Sequence, residues 1–223
     1  MTQPDPARRA ARGALLAAIL LFAAVALAVQ AGWTAALDDA GVLWFRRAAD
    51  PALARGPDWL ALAMRDWTAL GGRSAQSLLV AFAAAILHAS GRRGAALFLL
   101  AAVLGGWALG PILKALFDRP RPEVAAHLVE VASPSFPSSH ATQAAAGWLG
   151  LAAVLAAERR AAARVLPFAL AAALVVVIGV SRTFLGVHFP SDVLAGWCAG
   201  AAWVAALVLV ALRRSRRPPE ASY

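Results

Sequence analysis

The sequence predicts an all-α membrane protein, a polytopic bundle of six transmembrane helices with a short helical segment at its outer surface. Three observations carry that expectation. Of the 223 residues, 61% are apolar, against roughly 45–50% in an average soluble domain. The charged residues leave six uncharged gaps near the length of about 17–25 residues that a helix needs to cross the hydrocarbon core. Lys and Arg outnumber Asp and Glu 21 to 12, a formal charge of +9, and they fall unevenly among the segments between the gaps. A nucleic-acid binder would set such a charge on a solvated face, of which so apolar a chain has few, so no nucleic-acid partner is expected.

The first gap, residues 13–37, follows Arg8, Arg9 and Arg12. A basic leader, an Ala/Leu core and Ala26-Leu27-Ala28 also fit a secretory signal peptide, but the gap exceeds the usual signal core of about 7–15 residues and reads as a retained span. Residues 38–73 carry five acidic and five basic residues, with Trp44, Phe45, Trp59 and Trp67 among them, and do not span. Their rings suit the headgroup level, so the segment reads either as a helix lying on the outer membrane surface over residues 57–70 or as a small cap packed on itself. The second and third spans are residues 74–91 and 94–113, the latter ending at Lys114; the fourth, fifth and sixth are 140–157, 165–181 and 193–212. Residues 213–223 read as a disordered, basic cytoplasmic tail. The chain has one cysteine, Cys198, and no Cys/His cluster with zinc spacing, so neither a disulfide nor a structural metal is expected.

Positive residues are retained on the cytoplasmic side. One set of segments holds 12 basic residues, from Arg8 to Arg217, against only Asp5, Glu158 and Glu220, and so carries the whole +9. Both termini are then cytoplasmic, in the inner membrane, and the other face nets zero. Outside residues 38–73, that outer face keeps basic residues at Lys114, Arg119, Arg121 and Arg182, all close to span ends. Lys114 to Arg121 follow span three, Pro137-Ser138-Ser139-His140 open span four, and Arg182, His188 and Asp192 lie between spans five and six. The three clusters therefore meet at one membrane surface.

Lys114, Arg121 and Arg182 can neutralise a phosphoryl group, the guanidinium forks binding its oxygens in pairs. Ser138 and Ser139 precede a helix whose free N–H groups would face the same anion. Of two histidines, one can attack phosphorus as neutral imidazole while the other, protonated, donates to the leaving oxygen. Asp192, four residues after His188, can fix its tautomer.

Lys114, six residues, then Arg121-Pro122; Pro137-Ser138-Ser139-His140; Ser181-Arg182, five residues, His188, three residues, Asp192: this series resembles the motifs of the type 2 phosphatidic acid phosphatase (PAP2) superfamily. The stretch from Leu185 to Trp197 is similar to its bacterial membrane members. Three spaced motifs in order are far more specific than one. The resemblance implies a single membrane domain over residues 1–223, with its motifs within 114–192, that hydrolyses a lipid phosphomonoester or diphosphate at the extracytoplasmic face. It implies that His188 forms a phosphohistidine with Asp192 as its orienting partner, and that His140 protonates the leaving group and then activates water. Lys114, Arg121, Ser138, Ser139 and Arg182 would hold the phosphate, with no cofactor and no metal ion. One departure stands out: the family's second motif usually reads Pro-Ser-Gly-His, and Ser139 occupies the glycine position, keeping the N–H but adding a Cβ. The soluble haloperoxidase branch of the family is excluded by the six apolar runs.

Ionisable groups at the ends of membrane spans read as functional first. Arg119, beside Asp118 and Pro120, reads equally as a substrate contact or a solvated loop charge. Asp118, Glu123 and Glu130 are expected to face water, His88 and His127 to be structural, and Trp148, Trp197 and Trp203 to pack. A phosphotransferase of the same architecture, or a non-catalytic transport or scaffold protein, are the alternative classes. Phosphatidic acid, phosphatidylglycerol phosphate, undecaprenyl diphosphate and a lipid A phosphate all present the same phosphoryl group, so the sequence does not choose among them, nor does it bear on oligomeric state.

Overall fold

The computed structural model describes residues 5–214, which form eight α-helices, a 3-10 turn at Ala161–Arg164 and one short hairpin. Helix α1 (Pro6–Gln30) starts earlier than its apolar gap because Asp5 caps it, accepting from the Ala7 N–H at 3.0 Å, and Pro6 sits at the first turn where no N–H is needed. After it come α2 (Ala35–Leu43), an antiparallel hairpin of β1 (Arg46–Arg47) and β2 (Asp50–Ala54), and α3 (Asp58–Ala69). Then follow α4 (Arg73–Ala89), α5 (Arg93–Lys114), α6 (Ser139–Ala156), α7 (Val165–Phe184) and α8 (Pro190–Arg214).

The chain is mostly helical, as its composition implies; the second to sixth apolar gaps become helices with ends within three residues of those expected, whereas α1 lies seven residues earlier than the first gap, whose last residues belong to α2. Between them, residues 38–73 contain α3, which falls where a helix is expected over 57–70, and the hairpin. The hairpin departs from the all-α expectation. Its second strand, Asp50-Pro51-Ala52-Leu53-Ala54, has no alternation of apolar and polar residues by which a strand is read.

Four helical stretches are long and apolar enough to cross a membrane: α1, α5, residues Ala162–Phe184 with α7, and α8. A fifth span results if α3 and α4, which meet at a 49° bend, are taken together. The expected six is not reached by this measure. Helix α4 has only 17 residues, and α6 begins with Ser139, His140, Thr142 and Gln143. Those polar residues sit where α6 needs no lipid compatibility, because α6 is the centre of the bundle, packed against α5, α7 and α8. Its approach to α8 depends on small residues: a Cβ on Gly196 would lie 2.6 Å from the Ser138 carbonyl oxygen, and one on Gly200 would lie 2.5 Å from that of Thr142. The outer helices turn Leu16, Leu20, Leu78, Phe82, Leu97 and Leu170 outward, the apolar surface that a lipid solvent requires.

Helix α1 runs along α8, with Val25 and Ala26 packed against Phe136 and Ala195. At one end of the bundle Arg92 pairs with Glu158 at 2.8 Å and Arg8 donates to the Leu212 carbonyl at 2.8 Å, so these basic segments share a face. Beyond Arg214, the expected basic tail lies outside the described residues. The hairpin, α3 and the loop of residues 115–138 cover the opposite end. There Phe184, Leu185 and Val187 pack against Phe45, Leu60, Met64 and Leu128, and the buried Arg46 donates to the carbonyls of Phe184 and Ala126.

Candidate active site

At this second end a cavity of about 320 Å³ opens among the ends of α4, α5, α6 and α7. Its lining includes Lys114, Arg121, Ser139, His140, Arg182 and His188. Residues from all three sequence clusters are thus brought together, as the charge pattern predicts.

His188 lies between α7 and α8, 2% exposed. Its Nδ1 is 3.5 Å from Asp192 Oδ2 and from Ser135 Oγ, while its Nε2 is 3.3 Å from Arg121 Nη1. A proton at Nδ1, toward the carboxylate, leaves the Nε2 lone pair on the Arg121 side. Burial, opposed by Asp192 and aided by Arg182 and Arg121, pulls the His188 pKa down to about 3, so the imidazole is neutral.

Asp192 is fully buried near the start of α8, and its two oxygens face different partners. Oδ2 accepts from the Ser135 hydroxyl and, at 2.9 Å, from the Phe189 N–H. Oδ1 accepts from Arg119 Nη1 at 2.7 Å. Arg119 also donates to Ser191 Oγ at 2.8 Å and, through Nη2, to Asp38 Oδ2 at 2.7 Å; its guanidinium lies 4.3 Å from the centre of the Phe189 ring. Asp38 in turn accepts from the Ser191 N–H and hydroxyl. Arg119 is therefore neither a solvated loop charge nor part of the cavity lining; it is clamped between two buried carboxylates behind His188.

The cations of the cavity are each held by protein oxygens. Lys114 Nζ donates to the Pro134 carbonyl and, at 3.4 Å, to that of Ser135. Arg121 donates to Ser133 O at 2.8 Å and to the Val187 carbonyl. Arg182, 4% exposed, donates from Nη1 to Thr68 Oγ1 at 3.0 Å, and its buried Nε has no hydrogen-bond partner among the described residues. The Arg182 contact ties the end of α3 to the site.

The Ser138–His140 segment divides. Ser138 is fully buried and does not line the cavity: its hydroxyl accepts from Ala141 N–H at 3.4 Å as the cap of α6, and its own N–H donates to Asp192 O at 2.9 Å. Ser139 and His140 line the cavity. The added bulk of Ser139 meets a gap in α5, since a Cβ on Gly110 would stand 2.9 Å from Ser139 Oγ. On the other side, a Cβ on Gly72 would lie 3.7 Å from His140 Nε2.

Asp118, Glu123 and Glu130 are exposed as expected. His127 bonds the Pro122 carbonyl at 2.7 Å. Trp148, Trp197 and Trp203 donate to backbone carbonyls between helices. Among the described residues no group of three or more His, Cys, Asp or Glu side chains is arranged to hold a metal ion. Sequence reasoning missed Asp38, Ser135, Thr68 and Arg73. Ser135 had a signal, two residues before the second motif; Asp38 and Thr68 had none, because their partners lie 81 and 114 residues away.

Comparison with known proteins adds an independent line. The family model of the PAP2 superfamily matches residues 95–216. Decaprenylphosphoryl-5-phosphoribose phosphatase of Mycobacterium tuberculosis is 33% identical over 181 residues, 80% of this chain and 84% of that protein. Phosphatidylglycerophosphatase B of Bacillus subtilis is 36% identical over 94 residues, a match covering 41% of this chain and only 46% of that relative. The crystal structure of the transmembrane PAP2 type phosphatidylglycerolphosphate phosphatase from Bacillus subtilis superposes with a TM-score of 0.79 at 26% identity, covering 92% of this chain and 98% of that one. Aquifex aeolicus LpxE shares the fold, with a TM-score of 0.53 at 24% identity over 71% of this chain and 88% of that one. An integral membrane protein with this fold, with the motifs in order around one cavity, belongs to the PAP2 superfamily of phosphatases, hydrolases of phosphate esters.

Proposed function

We propose that this protein hydrolyses a lipid phosphomonoester or diphosphate through a phosphohistidine on His188. The observation that carries the reading is the orientation of His188, with Nδ1 toward Asp192 and Nε2 beside Arg121 in a cavity that His140, Lys114 and Arg182 also line. The Nε2 lone pair attacks phosphorus, and the bond from phosphorus to the leaving oxygen breaks as His140 gives that oxygen a proton. His140 then takes a proton from water, the resulting hydroxide attacks phosphorus, and inorganic phosphate leaves His188. Lys114, Arg121 and Arg182 balance the charge on the phosphoryl oxygens without reorganising, since each is already held by the protein. Ser139 contributes its N–H and hydroxyl to the phosphate. Ser138 serves from behind, as the cap that fixes the α6 N-terminus against α8. The roles require no metal ion or cofactor.

The spans number six in this reading, with α6 crossing inside the bundle, α4 crossing at its edge against α5, and α3 lying at the outer surface. Both termini and the segments around Arg92 and Arg159 are cytoplasmic, α1 is retained, and the cavity faces the periplasm or cell exterior from the inner membrane. The lipid is of the class that the relatives' names describe, a glycerophospholipid or polyprenyl carrier bearing a phosphate. Phosphate release by the purified protein from phosphatidic acid, phosphatidylglycerol phosphate, undecaprenyl diphosphate and a lipid A phosphate tests the reading. Release of inorganic phosphate from at least one, without an added acceptor, is expected; release only with an acceptor would make the protein a phosphotransferase, and none at all would overturn the assignment.

A further inference from the structure

The cavity holds one more cation than the phosphoryl chemistry uses. Lys114, Arg121 and Arg182 each have a hydrogen bond to the protein, but Arg73, which also lines the cavity, is exposed and its side chain makes no hydrogen bond or ion pair among the described residues. Among the described residues no acidic side chain lines the cavity, so none in its walls neutralises this fourth charge. The position of Arg73 is informative. It opens α4 directly after Gly72, the residue whose Cβ would stand 3.7 Å from His140 Nε2. Arg121, by contrast, stands 3.3 Å from His188 Nε2. The backbone that carries Arg73 into the cavity thus runs past His140, while Arg121 reaches His188, so Arg73 enters from the side from which, in the reading above, the leaving oxygen receives its proton.

A dianionic phosphoryl group is already matched by three cations. An unpaired guanidinium in the cavity wall next to the His140 segment suits a leaving group with a negative charge of its own. We propose that Arg73 forms a second anion subsite on the leaving-group side, selecting lipid phosphates whose leaving group itself carries a phosphate. This rests on the phosphatase reading above, with His140 as the proton donor. Two substrate types share that chemistry: one in which a phosphodiester lies a few atoms from the scissile bond, and a lipid diphosphate, whose departing half keeps a phosphate. Phosphatidic acid has neither, because its leaving group is neutral.

The test uses the full-length protein in mixed micelles and measures kcat and KM for phosphatidylglycerol phosphate, undecaprenyl diphosphate and phosphatidic acid, in wild type and in Arg73→Gln and Arg73→Lys. The readout is the ratio of kcat/KM on each two-phosphate lipid to that on phosphatidic acid. Arg73→Gln is expected to lower this ratio about tenfold for at least one two-phosphate lipid, mainly through KM, on the scale of a charge-assisted hydrogen bond. Arg73→Lys is expected to retain most of it. The lipid whose ratio falls identifies the source of the second phosphate. Ratios that stay constant in Arg73→Gln, whether all rates fall together or none does, would overturn the proposal. Failure of wild type to release phosphate from all three and from a lipid A phosphate would instead overturn the underlying phosphatase reading.

Discussion

Arg119 donates to Asp192 Oδ1 at 2.7 Å, on the opposite side of that carboxylate from His188. Its other terminal nitrogen is held by Asp38 at 2.7 Å, so a residue of α2 steadies the partner of the proposed nucleophile through one intermediate. Arg119→Gln would leave two buried carboxylates without their cation. Removing one partner of a buried ion pair costs about 3–5 kcal/mol, so a lower melting temperature in detergent is expected. Turnover is expected to fall about ten- to hundredfold, the range for groups that orient a reactive side chain from behind, with KM little changed. Arg119→Lys should recover part of both. Wild-type kcat in Arg119→Gln would remove the residue from the site's positioning.

Gly110 and Ser139 form a matched pair across α5 and α6. A methyl group on Gly110 would meet Ser139 Oγ at 2.9 Å and its Cβ at 3.2 Å. Gly110→Ala is expected to destabilise the protein by about 1–3 kcal/mol, the usual cost of overpacking. Adding Ser139→Gly, which restores the family's common residue, should return much of that loss. Unfolding measured over the four-variant cycle is expected to give a coupling of about 0.5–3 kcal/mol; simple additivity would show that the two positions do not interact.

Stability should fall in mild acid. With the His188 pKa pulled down to about 3 by burial, against an ordinary value near 6.5, the unfolded chain binds the proton that the folded chain refuses. Below pH 6.5 the unfolded state therefore holds more protons, and stability declines with falling pH until about 3. Melting temperature followed between pH 7 and pH 4 is expected to drop more steeply for wild type than for His188→Asn. Parallel curves would mean that His188 is not the group responsible.

Phosphate release is expected to persist when the enzyme is dialysed against EDTA, because the charge on the phosphoryl group is met by Lys114, Arg121 and Arg182. Activity lost to chelator and restored by a divalent cation would give part of that role to a metal.

Those three cations and both histidines were legible in the sequence because the family motifs and the loop charges state them locally. The long helices were legible too, from gaps in the charge pattern, although four or five of them, not the expected six, are long and apolar enough to span. The hairpin was not, since its second strand lacks a two-residue period and Arg46 anchors it to the carbonyls of Phe184 and Ala126, far away in the sequence. Ser138 was read as a phosphate ligand from its place in a motif, while its hydroxyl is taken up by the cap of α6. Asp38 was counted among the loop charges at the outer surface, yet it is 2% exposed. Neither its burial nor its pairing with Arg119 leaves a periodic trace, because both depend on how α2 meets α8.

The most direct test is to trap the covalent intermediate. Purified protein mixed with a lipid labelled in its terminal phosphate, quenched in alkali within the first turnover and digested, is expected to carry label on the peptide containing His188. The bond should be stable in base and labile in acid, as expected of a phosphorus–nitrogen link to imidazole, and no label should form in His188→Ala. Turnover without any trapped label, label on another residue, or full activity in His188→Ala would contradict the phosphohistidine mechanism.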